Sequence, residues 1–172
     1  KNKMVVRIDV ENMDSMFYYS TVTGIPLIDT SNCTSMKDMF SNTKIKSIPL
    51  LNTSGVVNID RMFKQCSIES IPSLNTSNVS SMDDCFIYCS ALSSVNNLDT
   101  TKVKNMNYSF ANCSSLTAIP NFNLPVIENM NYTFMSCGKV TSGASAVYSN
   151  VSSRANDIQH HYTFYNCGIN TT

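Results

Sequence analysis

Apolar residues return along this chain at fixed intervals, and phenylalanine marks the interval most clearly. Phe17, Phe40, Phe63, Phe86, Phe110 and Phe134 lie 23, 23, 23, 24 and 24 residues apart, and Phe164 follows after 30. Four residues before each of the first six stands Met13, Met36, Ile59, Met82, Met106 or Met130, and three earlier again Val10, Cys33, Val56, Val79, Val103 or Ile127. After the Phe come Val22, Ile45, Ile68, Leu92, Leu116 and Val140, then Ile25, Ile48, Ile71, Val95 and Ile119. A fixed period of this length means stacked repeats, each too short to bury its apolar side alone.

The pattern predicts local elements. A Met-x-x-x-Phe pair fits one face of a helical turn. The L-x-x-I-P piece, ending at Pro26, Pro49, Pro72 or Pro120, reads as a short parallel strand that proline stops. Asp29, Asn52, Asn75 and Asp99, each followed by Thr, read as side-chain-bonded turns that form a polar ladder on stacking. The expected fold is a leucine-rich-repeat-like solenoid of short parallel strands and short helical turns. Seven stacked Phe side chains would contribute roughly 10–20 kcal/mol before entropy is counted. Residues 10–140 hold six regular units. Residues 1–9 are an N-terminal segment whose MVVRIDV stretch suits an edge strand. In 141–172 the period breaks: Ala144, Val147, Tyr148 and Val151 follow helical spacing, with Ser142 as a candidate N-cap. This insertion and the final repeat are expected to form a C-terminal cap.

These phrases (F-x-x-C, L-x-x-I-P and LDTSNV-x-x-M) resemble BspA-type leucine-rich repeats over nearly the whole chain. Such repeats are common in bacterial surface proteins and occur in bacteriophage and mycoplasma proteins. The resemblance implies a curved solenoid that recognises host proteins, glycans or other cells, and it carries over no binding residue. Two departures stand out. The first units have Ser20 and Thr43 where the family has Cys, and the sixth lacks its L-x-x-I-P piece.

Composition narrows the partners. Twelve basic and twelve acidic residues cancel, which leaves no electrostatic case for nucleic acid or an anionic membrane. Charged residues are 14%, against about 25% in an ordinary domain, with Ser, Thr and Asn in their place. That polar, weakly charged surface suits an extracellular, cell-surface or virion setting. No apolar run approaches the ~18 residues of a membrane span. The chain starts at Lys1, so further domains N-terminal to it are expected.

The period also absorbs most candidate chemistry. Cys66, Cys89, Cys113, Cys137 and Cys167 each follow their Phe by three and read as a column of buried free thiols, not as a disulfide framework or metal site. Cys85 replaces the residue before Phe86. His160 takes a Met position, so the grouping of His160, His161 and Cys167 reads as structural. Asp60–Arg61 and Asp83–Asp84 read as a solvated face, and sequons such as those at Asn32, Asn75 and Asn131 as turn residues. No catalytic triad, phosphate loop, cofactor site or metal site emerges, and an enzyme is not expected.

Tyrosine is the exception. Tyr108, Tyr132 and Tyr162 occupy one slot, two before the Phe, where earlier units carry Ser15, Asp38, Arg61 and Asp84. That slot should face outward, giving an aromatic stripe flanked by Tyr18, Tyr19, Tyr88 and Tyr165. Such stripes suit protein hot spots or stacking on sugars. The expected role is binding or adhesion to a protein or carbohydrate ligand on a cell surface; the alternative is a structural spacer or assembly module.

Overall fold

The hydrogen bonds of each Met-to-Cys stretch run mainly from one repeat to the next. In a computed structural model covering residues 10–71, 74–95 and 98–169, the N–H groups of Met13, Ser15, Phe17 and Tyr19 donate to the carbonyls of Ser35, Lys37, Met39 and Ser41 at 2.8–3.0 Å. The same four-bond junction recurs down to the last, where Met130, Tyr132, Phe134 and Ser136 donate to Gln159, His161, Thr163 and Tyr165. Between these donors, intervening N–H groups close four-residue turns, as Met16 to Met13, Tyr18 to Ser15 and Ser20 to Phe17. The result is a ribbon of consecutive turns in each coil, with all junction donors pointing one way along the stack.

This ribbon replaces the expected helical turn. A helix would bond each N–H four residues back, whereas here Ser15 and Tyr19, with φ of 59° and 53°, reverse the backbone. Every coil repeats the pair: Asp38 and Asn42, Arg61 and Gln65, Asp84 and Tyr88, Tyr108 and Asn112, Tyr132 and Ser136, Tyr162 and Asn166. A left-handed residue with a Cβ costs about 1–2 kcal/mol, and the inter-coil bonds are what offset that cost.

The expected leucine-rich-repeat fold with short parallel strands is not what forms. Among the described residues there is no strand and no sheet. Coils meet through isolated parallel bridges such as Asn12 with Ser35, Asn58 with Ser81 and Asn105 with Asn129. The L-x-x-I-P pieces carry only scattered bonds, Glu69 N–H to Lys46 and Ile119 N–H to Ser142 at 3.0 Å and Thr117 N–H to Ser93 at 3.4 Å. Turns on either side leave too few extended residues for a ladder, and the backbone pairing moves into the turn ribbon. Pro72, the proposed edge strand over residues 1–9 and the chain's last three residues lie outside the described residues.

The apolar columns meet inside the coils. Phe40, Phe63, Phe86, Phe110 and Phe134 are fully buried, and successive rings from Phe17 to Phe164 stack nearly parallel with centroids 5.1–5.7 Å apart. Phe17 and Phe164 are only half-buried, each being covered on one side. Along another edge, Thr30, Thr53, Thr76 and Thr100 are buried and donate to the next coil's Asn52, Asn75, Asp99 and Asn123 carbonyls at 2.7–2.9 Å. The preceding Asx side chains accept from the N–H two residues on, which makes the expected polar ladder.

Helix α1, Ala144–Val151, follows the predicted spacing: Ala144, Val147 and Val151 are buried and Tyr148 is exposed. Its N-cap is Gly143 and not Ser142. Gly143 has φ 99°, and a Cβ there would come within 2.2 Å of the Ile119 carbonyl oxygen, so only glycine fits. A 3₁₀ segment, Ser152–Asp157, follows and is interrupted at Arg154. Arg154 donates to the Leu124 carbonyl at 2.7 Å and Asn150 accepts from the Leu124 N–H at 3.3 Å. These side chains tie the insertion to the sixth coil at Leu124.

Candidate binding surface

The first left-handed position of each coil falls in one column: Ser15, Asp38, Arg61, Asp84, Tyr108, Tyr132 and Tyr162. In this column φ between 52° and 59° turns the side chain out of the ribbon, while the following residues return to the core. The column is therefore a continuous stripe of side chains one coil apart.

Its first half is ionic. The Arg61 guanidinium grips Asp38 through two nitrogens at 3.0 Å, with both side chains mostly covered. The Asp38 hydrogen bond raises the Arg61 pKa further. Lys64 reaches Asp84 at 2.8 Å. Asp60 accepts from the Asp83 N–H, and Asp83 accepts from the Asn107 side chain at 3.1 Å while burial raises its pKa. These pairs were expected to be a freely solvated face. The one-coil spacing instead brings opposite charges into contact between coils.

The second half is aromatic. Tyr108 and Tyr132 stack with centroids 4.5 Å apart and planes 5° from parallel, and Tyr132 and Tyr162 stack at 5.3 Å and 18°. Desolvation and the neighbouring Tyr132 raise the Tyr108 phenol. Tyr162 and Tyr165 meet edge to face at 5.5 Å, 57% and 60% exposed. Tyr132, Met135, Tyr162 and Tyr165 line an open groove of about 450 Å³. At 4.5–5.3 Å no third ring fits between the stacked pairs, so this comb presents edges and hydroxyls outward and few free faces.

Not every aromatic joins it. Tyr18 and Tyr19 pack edge to face on each other in the first coil, at the far end from Tyr162, and Tyr88 is exposed at its own left-handed position. Met135 belongs to the groove and was missed. Its signal was available, because it sits beside Phe134 at the place Ile87 and Ala111 hold in their coils.

The cysteine column lies inside. Cys66, Cys89, Cys113 and Cys137 are buried free thiols, as is Cys85, and Cys167 is half-buried. Cys89, Cys113 and Cys137 donate to the Phe63, Phe86 and Phe110 carbonyls at 2.9–3.1 Å. Burial pushes the thiols up, Cys137 to about 12 and Cys85 and Cys113 well above their usual value, which suppresses the nucleophilic thiolate. His160, expected at a core position, is exposed with His161. It borders a cleft of about 150 Å³ between α1 and the last coil. Among the described residues no group of three or more His, Cys, Asp or Glu is placed to hold a metal ion, and no helix is long and apolar enough to cross a membrane.

A family model described as Mycoplasma protein of unknown function, DUF285, matches this chain over residues 6–86, 34–147 and 67–168. Overlapping matches are what a repeated unit gives, since the model can be laid on more than one register. No curated protein and no solved structure matches.

Proposed function

The chain belongs to the Mycoplasma protein family of unknown function DUF285, and from its surface we propose a non-catalytic, BspA-like adhesion module that binds a protein on a cell surface. The observation that carries this reading is the comb of Tyr108, Tyr132 and Tyr162 with the groove beside it. Tyrosine is enriched at binding hot spots. Stacking has already restricted these side chains, so binding costs less rotamer entropy. The geometry favours protein over sugar. A sugar would stack on an open ring face, whereas the comb offers edges and hydroxyls, which suit aliphatic groups and carbonyls of a polypeptide.

A cell-binding titration tests it. Labelled protein is added to cultured host cells pretreated with protease or with glycosidases, and bound label is read by flow cytometry. A Tyr132→Ser/Tyr162→Ser variant should lose at least about tenfold in affinity, while Tyr18→Ser/Tyr19→Ser, at the other end, should bind like the wild type. Protease should abolish binding and glycosidase should spare it. Equal binding by the comb variant, or loss on glycosidase treatment alone, would reject the proposal. A second reading is a structural or assembly module, which the regular stack of coils would suit.

A further inference from the structure

Tyr108 and Tyr132 fill the same slot of neighbouring inner coils, with φ of 52° and 57°. Each side chain is therefore nearly a translated copy of the other. Their ring planes are 5° from parallel with centroids 4.5 Å apart, and their hydroxyls share a hydrogen bond. The rings lie face to face with the same end outward, so each ortho carbon sits over its counterpart at about the centroid spacing. Both side chains are only partly buried, which leaves them room to tilt. Tyr132 and Tyr162 are wider and more inclined, at 5.3 Å and 18°. Tyr18 with Tyr19 and Tyr162 with Tyr165 meet at 80° and 85°.

Ring orientation decides what a one-electron oxidant can do with such pairs. A phenoxyl radical holds its unpaired electron in the π system, on the oxygen and on the ortho and para carbons, and the para carbon is blocked by Cβ. The p orbitals stand perpendicular to the ring. Parallel rings aim their ortho carbons at each other, whereas perpendicular rings bring a p orbital of one against the nodal plane of the other.

We propose that Tyr108 and Tyr132 are an oxidative cross-linking site, joined ortho carbon to ortho carbon by an oxidant of the haem-peroxidase class acting with hydrogen peroxide. The peroxide takes one electron and the hydroxyl proton from each phenol and leaves as two waters. The two radicals pair their electrons in one carbon–carbon bond. The hydrogen on each bonded carbon then moves to its oxygen, restoring both aromatic rings, and the chain has lost two hydrogens in all. The bond staples the fifth coil to the sixth and closes a loop of one repeat, which restricts the unfolded chain. None of this depends on the binding role proposed above.

Peroxidase treatment of the dilute full chain, with limiting hydrogen peroxide, tests it. The product should run as a monomer on a denaturing gel, show the blue fluorescence of dityrosine and weigh two hydrogens less. Trypsin releases both rings in one peptide, residues 105–139, because Lys104 and Lys139 bound it and no Lys or Arg lies between. That peptide should carry the mass loss and give no fragments from cleavage between Tyr108 and Tyr132. Tyr132→Phe and Tyr108→Phe keep a stacked ring and should each abolish the link, while Tyr18→Phe should leave it intact. The urea midpoint of the linked protein should rise by about 1 M. A link found mainly at Tyr18–Tyr19 or between molecules, a folded wild type that forms none, or an unchanged midpoint would each overturn the proposal.

Discussion

Replacing Phe86 by Ala, compared with the same change at Phe17, tests whether stability accumulates from coil to coil. Phe86 is fully buried, with Phe63 at 5.3 Å on one side and Phe110 at 5.1 Å on the other. Truncating a buried Phe costs about 3–5 kcal/mol, cavity included. Losing two stacked partners, each worth about 0.5–1.5 kcal/mol beyond area, puts Phe86→Ala near the top of that range. Phe17 is half-buried and stacks on Phe40 alone at 5.6 Å, so Phe17→Ala should cost about 2 kcal/mol, less than half as much. With a urea dependence of about 2 kcal/mol per M, the midpoints should fall by about 2 M and 1 M. Far-UV dichroism and tyrosine fluorescence, followed together, read the transition. Equal losses at the two positions, or a loss below about 1.5 kcal/mol at Phe86, would refute a stack whose stability is a sum of neighbour contacts.

Three further outcomes follow from the ribbon and the thiol column. Gln65 is exposed with φ 52°, so Gln65→Gly should raise stability by about 0.5–1 kcal/mol in urea melts, and Gln65→Val should lower it by a similar amount or more; a harmless Val would contradict the left-handed geometry. The two-nitrogen grip of Arg61 on Asp38 should make Arg61→Lys cost about 1 kcal/mol, with non-additivity against Asp38→Asn in a double-mutant cycle. The buried thiols hold their protons more tightly folded than unfolded, so their contribution is complete below the usual thiol value of 9.0 and is lost as pH rises toward about 12, where Cys137 ionises. The urea midpoint should therefore fall above about pH 9, less steeply in Cys137→Ala, and a thiol reagent at pH 7.5 should label Cys167 far faster than the other six cysteines.

The repeat was legible because every coil writes its core in the same register. The Phe column, the Asx–Thr turns and α1 all followed from spacing alone. The turn ribbon was hidden, because Met-x-x-x-Phe spacing is the same whether the four-residue step is a helical turn or two turns joined by a left-handed residue. The residues at the left-handed positions, Asp38, Arg61 and Tyr108 among them, are neither Gly nor, for the most part, Asn. Nothing local announces their φ, which the neighbouring coil imposes. The L-x-x-I-P pieces looked like strands by composition but are too short and too closely flanked by turns to pair beyond single bonds. The tyrosine slot was visible while its ring geometry was not. Yet a coil spacing near the 4.7–4.9 Å of paired backbones already places same-slot rings within stacking distance. The interlocked charges at Asp38, Arg61 and Asp84 follow from the same spacing.

Residue-resolved amide hydrogen exchange tests the one-directional ribbon on which the stripe and the Phe stack depend. The slowest amides should be those of Arg61, Phe63, Asp84, Phe86, Tyr108, Phe110, Tyr132 and Phe134, each donating to the next coil. The equivalent amides of Tyr162 and Phe164, which donate to nothing among the described residues, should exchange faster. Protection concentrated in the L-x-x-I-P pieces, with Arg61, Asp84 and Tyr108 unprotected, would contradict the account and restore a strand-based repeat.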